Sequence, residues 1–364
     1  YREIAAQRES LPAHGARADL LAALRASRVV VVAGETGCGK TTQVPQFILD
    51  DAIARGCGSG VSIVVTQPRR VSAMGVAARV AQERCESLDA QDADAQVGYA
   101  IRGERRAARG CRILFSTTGV LLRRLAAGGD PTLRSVSHVV VDEVHERSTD
   151  SDLLLLLLRD VLAANPELRV VLMSATIKAE TFTAYFGGAP YFCIPGRTFP
   201  VHSVYLEELV AATQFRCAWH ARVGEKEAAL VDESGQPDDG AVQTLRQLAT
   251  GRADYELVAR AVGYALGLGG DGAVLVFCPG VGEIRQAMQA VAALGRSDVL
   301  LLPLHANLPA PEQRRVFERA PPGMRKVVVA TNVAETSITI PEVCFVVDTG
   351  RVREARYDVQ LSVH

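Results

Sequence analysis

The sequence predicts an α/β protein built from two mostly parallel, doubly wound sheets. Three observations point there. Short β-branched apolar runs recur along the chain, and each ends in small, polar or charged residues. Amphipathic segments of helical length separate those runs, and the series breaks once, at 205–253, before it resumes. At 364 residues the chain is long enough for two cores. The expected organisation is a first domain at 1–204, a connector or insertion at 205–253 and a second domain at 254–364.

Residues 1–28 read as a helical lead-in, in which Arg8, Glu9, Leu11 and Pro12 precede an amphipathic stretch from Arg17 to Ser27. Val29 to Val32 read as a buried strand, and Gly34, Gly37 and Gly39 punctuate a turn that opens a helix over 40–54. The stretch Gly34-Glu35-Thr36-Gly37-Cys38-Gly39-Lys40-Thr41-Thr42 is therefore G-x-x-x-x-G-K-T between a strand and a helix. Glycines without Cβ let backbone N–H groups face a polyphosphate, and the helix N-terminus adds the positive end of its dipole. Lys40 is placed to reach the β and γ phosphates, with the Thr41 hydroxyl on Mg²⁺. A chance match in a Gly-rich turn is the competing reading, and the strand–turn–helix context disfavours it. Lysine usage supports the same reading: the chain has only four lysines, at 40, 178, 226 and 326, and one of them sits here, where a compact ammonium suits a tight loop.

The next strand, Val61 to Thr66, runs into Gln67-Pro68-Arg69-Arg70. Arginines at the carboxyl end of a parallel strand lie where α/β ligands bind, although a solvated loop would also carry them. A helix over 71–86 and a polar loop from Glu86 to Asp94 follow. Strand Cys111 to Ser116 then leads to Thr117-Thr118-Gly119 and a helix bearing Arg123 and Arg124. Strand Ser137 to Val141 ends in Asp142-Glu143-Val144-His145. An apolar strand ending in Asp-Glu, about a hundred residues after a phosphate loop, reads as the second half of an NTPase site. Asp142 would hold Mg²⁺ through water opposite Thr41, and Glu143 would orient or deprotonate the attacking water. Helix 150–164 carries the run Leu153 to Leu158, read as a fully buried face, and strand Arg169 to Met173 ends at Ser174-Ala175-Thr176.

The stretch Glu225 to Gly240 is polar and acidic and reads as a connector or partly disordered insertion. Trp219, the only tryptophan, reads as a packing anchor rather than a base-stacking platform. A second series then begins: helix Asp254 to Leu266, strand Ala273 to Cys278, helix 281–294, strand Val299 to Leu304, helix 310–319, strand Lys326 to Ala330 into Thr331-Asn332, and strand Cys344 to Val347. It has no phosphate loop of its own. One loop for two α/β units implies a nucleotide lodged between them.

A net charge of −1 advertises no global basic field, so nucleic-acid binding would need a local cleft. The longest apolar run is far too short to cross a bilayer, and no signal peptide opens the sequence, so no membrane is expected. Eight cysteines without a C-x-x-C pair argue for reduced core thiols in an intracellular compartment, cytoplasmic or nuclear, and against zinc.

Taken together, GETGCGKTTQ (34–43), TQPRR (66–70), STTGVLLRRL (116–125), DEVHER (142–147), SAT (174–176), VFCPG (276–280) and TNVAETSITI (331–340) resemble the DEAH/DExH-box RNA helicases of superfamily 2, in family order and over nearly the whole chain. The valine of DEVH, the TTGVLLRRL wording and the RESLP lead-in resemble the RNA helicase A-like branch. The resemblance implies two RecA-like domains and an ATP-dependent RNA helicase or RNA–protein remodelling motor. Such a motor would move 3′ to 5′ on RNA that is single-stranded or has a 3′ overhang.

The same resemblance implies that Gly34 to Thr42 bind triphosphate and that Arg79 and Phe317 sandwich the adenine, with loose NTP preference. It implies that Ser337 and Thr339 lie near the ribose, since Pro341 stands where many relatives place an Asp. His145 and Ser174-Ala175-Thr176 would couple the nucleotide to domain movement. Arg69, Arg70, Thr117, Thr331 and Asn332 would grip RNA phosphates and riboses, which positions a strand without reading it. A monomer assisted by protein activators is expected. The family's next motif, with its arginine finger, would lie beyond His364, so this chain is expected to be part of a longer helicase and weakly active alone. A catalytically weak RNA clamp and a DNA-directed motor are the alternatives.

Overall fold

The structure is a computed structural model, and it describes residues 2–35, 37–126, 130–175, 180–196, 200–215, 244, 248, 254–335 and 340–353. The chain divides into two compact units, Tyr1–Phe199 and Pro200–Thr336 continued by Ile340–His364.

In the first unit, helices α1 (Arg2–Glu9), α2 (Pro12–Gly15) and α3 (Arg17–Ala26) lead into β1 (Val29–Gly34). There follow α4 (Lys40–Ala54), β2 (Ile63–Gln67), α5 (Arg70–Glu83), β3 (Val97–Ile101), β4 (Glu104–Arg106), β5 (Ile113–Thr117) and α6 (Thr118–Ala126). The unit continues with β6 (His138–Val141), α7 (Thr149–Ala164), β7 (Arg169–Ser174), α8 (Glu180–Tyr185) and β8 (Tyr191–Ile194). Among the described residues these strands form one eight-stranded sheet in the order β4-β3-β5-β2-β6-β7-β1-β8. Every neighbouring pair is parallel except β3 with β4. The central strands are valine-rich and buried along their length, as a sheet covered on both faces requires.

Three features depart from the sequence expectation. The leucine run of α7 is not buried throughout: Leu154, Leu155 and Leu158 enter the core, while Leu153 and Leu156 are exposed, because a helix turns only one stripe inward. The hairpin of β3 and β4, with Gly103 in the left-handed region at its turn, and the edge strand β8 were not anticipated. Strand β3 is buried along its length, whereas β4 is three charged residues and β8 four residues largely open to solvent, so the two edge strands take their pairing from the sheet rather than from a local pattern. Finally, only Cys38 and Cys278 are core thiols among the described cysteines, with Cys57, Cys85, Cys193 and Cys344 exposed.

The second unit contains α9 (Leu206–Thr213), α10 (Tyr255–Gly267), β9 (Ala273–Phe277), α11 (Val281–Ala292), β10 (Val299–Leu304), α12 (Ala310–Arg314), β11 (Arg325–Ala330) and β12 (Val343–Asp348). Among the described residues its sheet runs β10-β11-β9-β12, all parallel. Asp254 caps α10 by accepting from the backbone N–H groups of Glu256 and Leu257, which fixes where the helix begins. The start of the expected connector is helical and belongs to this unit: Val210 and Phe215 pack with Leu248 and Leu257. Trp219 and the stretch Glu225 to Gly240 lie outside the described residues. The helix expected over 310–319 ends at Arg314 and tightens into a 3₁₀ turn, Arg315–Phe317.

His138, at the start of β6, lies with Nδ1 2.9 Å from the Ser137 hydroxyl oxygen. That hydroxyl gives its proton to the Ser62 carbonyl at 2.9 Å, so Nδ1–H is the donor to Ser137. Burial, reinforced by Arg169 and Arg55, lowers the His138 pKa to about 4. The unfolded chain therefore binds a proton there between about pH 6.5 and pH 4 that the folded chain refuses, and stability falls as pH falls through that window, by up to about 3 kcal/mol. His138→Gln should flatten this part of the stability profile, as read from unfolding midpoints at about pH 7 and pH 5.

Candidate active site

Parallel strands deliver all their carboxyl ends to one edge, and the order β5-β2-β6-β7-β1 sets five chain segments side by side there. They are Thr117 after β5, Gln67 to Arg70 after β2, Asp142 and Glu143 after β6, Ser174 and Ala175 after β7, and the glycine-rich loop after β1. The β1–β7 register pairs Ala33 with Ser174, so the loop that follows starts level with the Ser174-Ala175 turn.

The loop conformation explains its glycines. Gly37 and Gly39 have φ of 83° and 91°, a region side chains avoid. A Cβ on buried Gly34 would lie 2.9 Å from Cys38 Sγ and 3.2 Å from the Ile194 backbone. The lead-in braces this loop: Ala13 N–H donates to the Cys38 carbonyl at 2.9 Å, and Leu11 packs against Gly39. Lys40 opens α4 and is only 4% exposed, with Thr41 and Thr42 in the same first turn and no acidic residue to offset the dipole. Glu35 is exposed, and Thr36 lies outside the described residues.

Asp142 is buried and is approached from three elements. It accepts from Thr41 Oγ1 at 2.7 Å, from Gln67 Nε2 at 2.7 Å and from the Glu143 backbone N–H at 2.9 Å. Glu143, 7% exposed, sits in the left-handed region at φ 55°, ψ 37°, a conformation that costs a non-glycine residue about 1–2 kcal/mol. Its Oε2 lies 3.4 Å from His145 Nδ1, and that nitrogen accepts from the Ala175 N–H at 3.2 Å. Burial holds the His145 pKa below the ordinary histidine value, and nearby Lys40 pushes the same way. The imidazole thus sits between the Asp-Glu turn and the end of β7, hydrogen-bonded to the latter. Thr176 lies outside the described residues.

The donor set here is a hydroxyl and two carboxylates, all hard oxygen, which fits Mg²⁺ rather than a softer metal. Among the described residues no cluster of three or more His, Cys, Asp or Glu forms a protein cage for a metal. An ion held by Thr41 and Asp142 would therefore need phosphate or water to complete its shell, as Mg²⁺ in nucleotide sites does.

Gln67, Gln43, Gln46 and Glu83 were not singled out by sequence. Gln67 is fully buried, and its Oε1 has no hydrogen-bond partner. Glu83, 2% exposed, accepts from Gln43 Nε2 at 2.7 Å and Gln46 Nε2 at 2.8 Å on α4, and from Arg79 Nε at 2.8 Å on its own helix. Gln43 in turn accepts from Arg8 Nε at 3.0 Å. A glutamine one turn inside a phosphate-loop helix was the available signal. Arg69 pairs with Glu146 at 3.4 Å, Arg70 is exposed at the start of α5, and Thr117 is partly exposed. In the second unit Phe317 and Thr331 are partly exposed and Asn332 is exposed; Ser337 and Thr339 lie outside the described residues.

A DEAD/DEAH box helicase model matches residues 15–184, and a helicase conserved C-terminal domain model matches 258–362. The chain belongs to the DEAD/DEAH-box helicase family, and its two mostly parallel sheets are of the RecA-like kind. It is 55% identical over 392 aligned positions to UM11114 of Mycosarcoma maydis, named as a DEAH-box ATP-dependent helicase; the match covers 98% of this chain and 25% of the relative. It is 40% identical to the human ATP-dependent DNA/RNA helicase DHX36, over 100% of this chain and 38% of that protein. The solved Escherichia coli DEAH/RHA helicase HrpB superposes with a TM-score of 0.72 at 32% identity, covering 97% of this chain and 39% of that one. The chain thus spans between a quarter and two-fifths of these relatives.

Glu83→Ala removes the acceptor shared by Gln43, Gln46 and Arg79. It should cost about 2–4 kcal/mol of stability, measured as a lower denaturant midpoint at unchanged slope.

Proposed function

We propose that this chain is the motor core of an ATP-dependent RNA helicase or RNA–protein remodelling enzyme that moves 3′ to 5′ on single-stranded RNA. One observation carries the reading: Lys40 and Thr41, on the helix that opens from the glycine loop, lie beside the buried Asp142–Glu143 turn, with Thr41 and Asp142 in direct hydrogen bond. In this reading the loop amides and Lys40 hold the triphosphate. Thr41 and Asp142 would hold Mg²⁺, with Glu143 as a water-mediated ligand, and the bound ion would supply charge neutralisation at the phosphates. Glu143 accepts the proton of the attacking water. The His145–Ala175 hydrogen bond then carries a change at Glu143 to the end of β7.

Arg79 from the first unit and Phe317 from the second stack on the base, which every nucleobase permits, so NTP preference is loose. Arg69, Arg70 and Thr117, with Thr331 and Asn332 of the second unit, grip the RNA backbone. The helicase ATP-binding domain corresponds to 1–204 and the C-terminal helicase domain to 254–364. An intracellular monomer that works with protein activators completes the reading. The DNA/RNA wording in the human relative's name favours one second reading, a motor that also accepts DNA.

Glu143→Gln should leave nucleotide and RNA binding largely intact while lowering turnover about 10²- to 10⁴-fold in the longer protein. Equal loss of ATP affinity would make Glu143 structural instead. Lys40→Ala should weaken triphosphate binding directly, and unchanged affinity would overturn the loop assignment. Replacing ribose by deoxyribose in the bound strand separates the two substrate readings: an RNA motor loses affinity with its 2′-OH contacts, and a dual motor does not.

A further inference from the structure

Lys326 is one of the four lysines of the chain, and it lies in β11 with 1% of its surface exposed. Strand positions on a valine-rich sheet rarely bury an ammonium, because its desolvation must be matched by good acceptors. The acceptors are specific. Nζ donates to the Val316 carbonyl at 3.1 Å and to the Glu318 carbonyl at 2.8 Å, the two peptide oxygens that flank Phe317. It also lies 3.5 Å from Glu342 Oε2, and that same oxygen accepts from the Ala320 N–H at 3.3 Å. A buried cation and its partner carboxylate therefore hold the backbone of 316–320 at three points. At this segment the chain leaves α12 through the 3₁₀ turn Arg315–Phe317 and then extends at Glu318.

We propose that Lys326, assisted by Glu342, is a positioning residue for the nucleotide base: it fixes the turn that presents Phe317, and so sets how well the phenyl ring stacks. The proposal rests on the reading of Phe317 as a base-stacking group. An ordinary core role would need only an apolar side chain at 326. The ammonium instead spends its hydrogen bonds on the carbonyls either side of one partly exposed aromatic residue. Neither Lys326 nor Glu342 touches the base in this scheme; each acts through the backbone of the turn.

The test compares two ligands that differ by the nucleoside. Dissociation constants for ADP and for inorganic pyrophosphate, both with Mg²⁺, are measured by calorimetry on the chain carrying both units, for wild type, Phe317→Ala, Lys326→Met and Glu342→Ala. Stacking on one aromatic face corresponds to roughly a tenfold preference for the base-bearing ligand. Phe317→Ala should lower the ADP-to-pyrophosphate preference about tenfold, and Lys326→Met about three- to tenfold, with pyrophosphate affinity unchanged in both. A merely structural lesion would weaken both ligands alike and leave their ratio at the wild-type value. If Phe317→Ala leaves the ratio unchanged, the stacking reading fails and the proposal falls with it. If Phe317→Ala lowers the ratio and Lys326→Met does not, the stacking reading stands and the positioning role is overturned. Should Lys326→Met fail to fold, Glu342→Ala decides, because its carboxylate is about one-third exposed: a lowered ratio supports the proposal, and a wild-type ratio overturns it.

Discussion

The buried carboxylate of Asp142 is the constraint on which the first unit depends. A carboxylate this far from water must be met by donors, and it finds three of them on three different segments: the helix after β1, the end of β2 and the turn after β6. Those segments converge only because β6 lies between β2 and β7, with β1 next, so that residues 101 and 75 positions away in sequence reach one side chain. The strand order of the sheet is thus tied to the solvation of a single anion. A different order would leave that charge stranded or force it to the surface.

Strain accumulates where this convergence is tightest. Glu143 occupies the left-handed region without being glycine, and Arg147, three residues past the short turn's first residue, does the same. The intervening 3₁₀ turn holds His145 against Ala175, while the Glu143 N–H on Asp142 and the Arg147 guanidinium on Asp152 hold its two ends, so the costly backbone is retained. The phosphate loop meets the same problem with glycines, at positions 37 and 39, where no side chain is needed and the backbone itself is the functional group.

Buried charge also serves outside the Asp142 cluster. Glu83 gathers two glutamines of the phosphate-loop helix and one arginine of its own helix. Lys326 gathers backbone carbonyls of a turn in the second unit. Both are costly to desolvate and both are satisfied by fixed partners, so each restrains geometry more than it adds stability.

The residues that were legible in sequence are those whose chemistry is local. Runs of β-branched residues specify strands, the G-x-x-x-x-G-K-T spacing specifies a loop with left-handed glycines and a helix behind it, and Asp-Glu after a strand marks its carboxyl end; each depends on neighbours a few positions away. What sequence left open depends on partners far along the chain. The edge strands β4 and β8 are too short to carry a pattern of their own, the outward leucines of α7 look like the inward ones, and Gln67, Glu83 and Lys326 look like ordinary polar residues until their partners arrive. Sequence by itself determined the two-sheet class and the phosphate loop, because backbone preference and hydrophobic period are short-range. Tertiary structure decided which polar side chains are buried and whom they serve, because desolvation is a property of the packed surroundings and not of the residue.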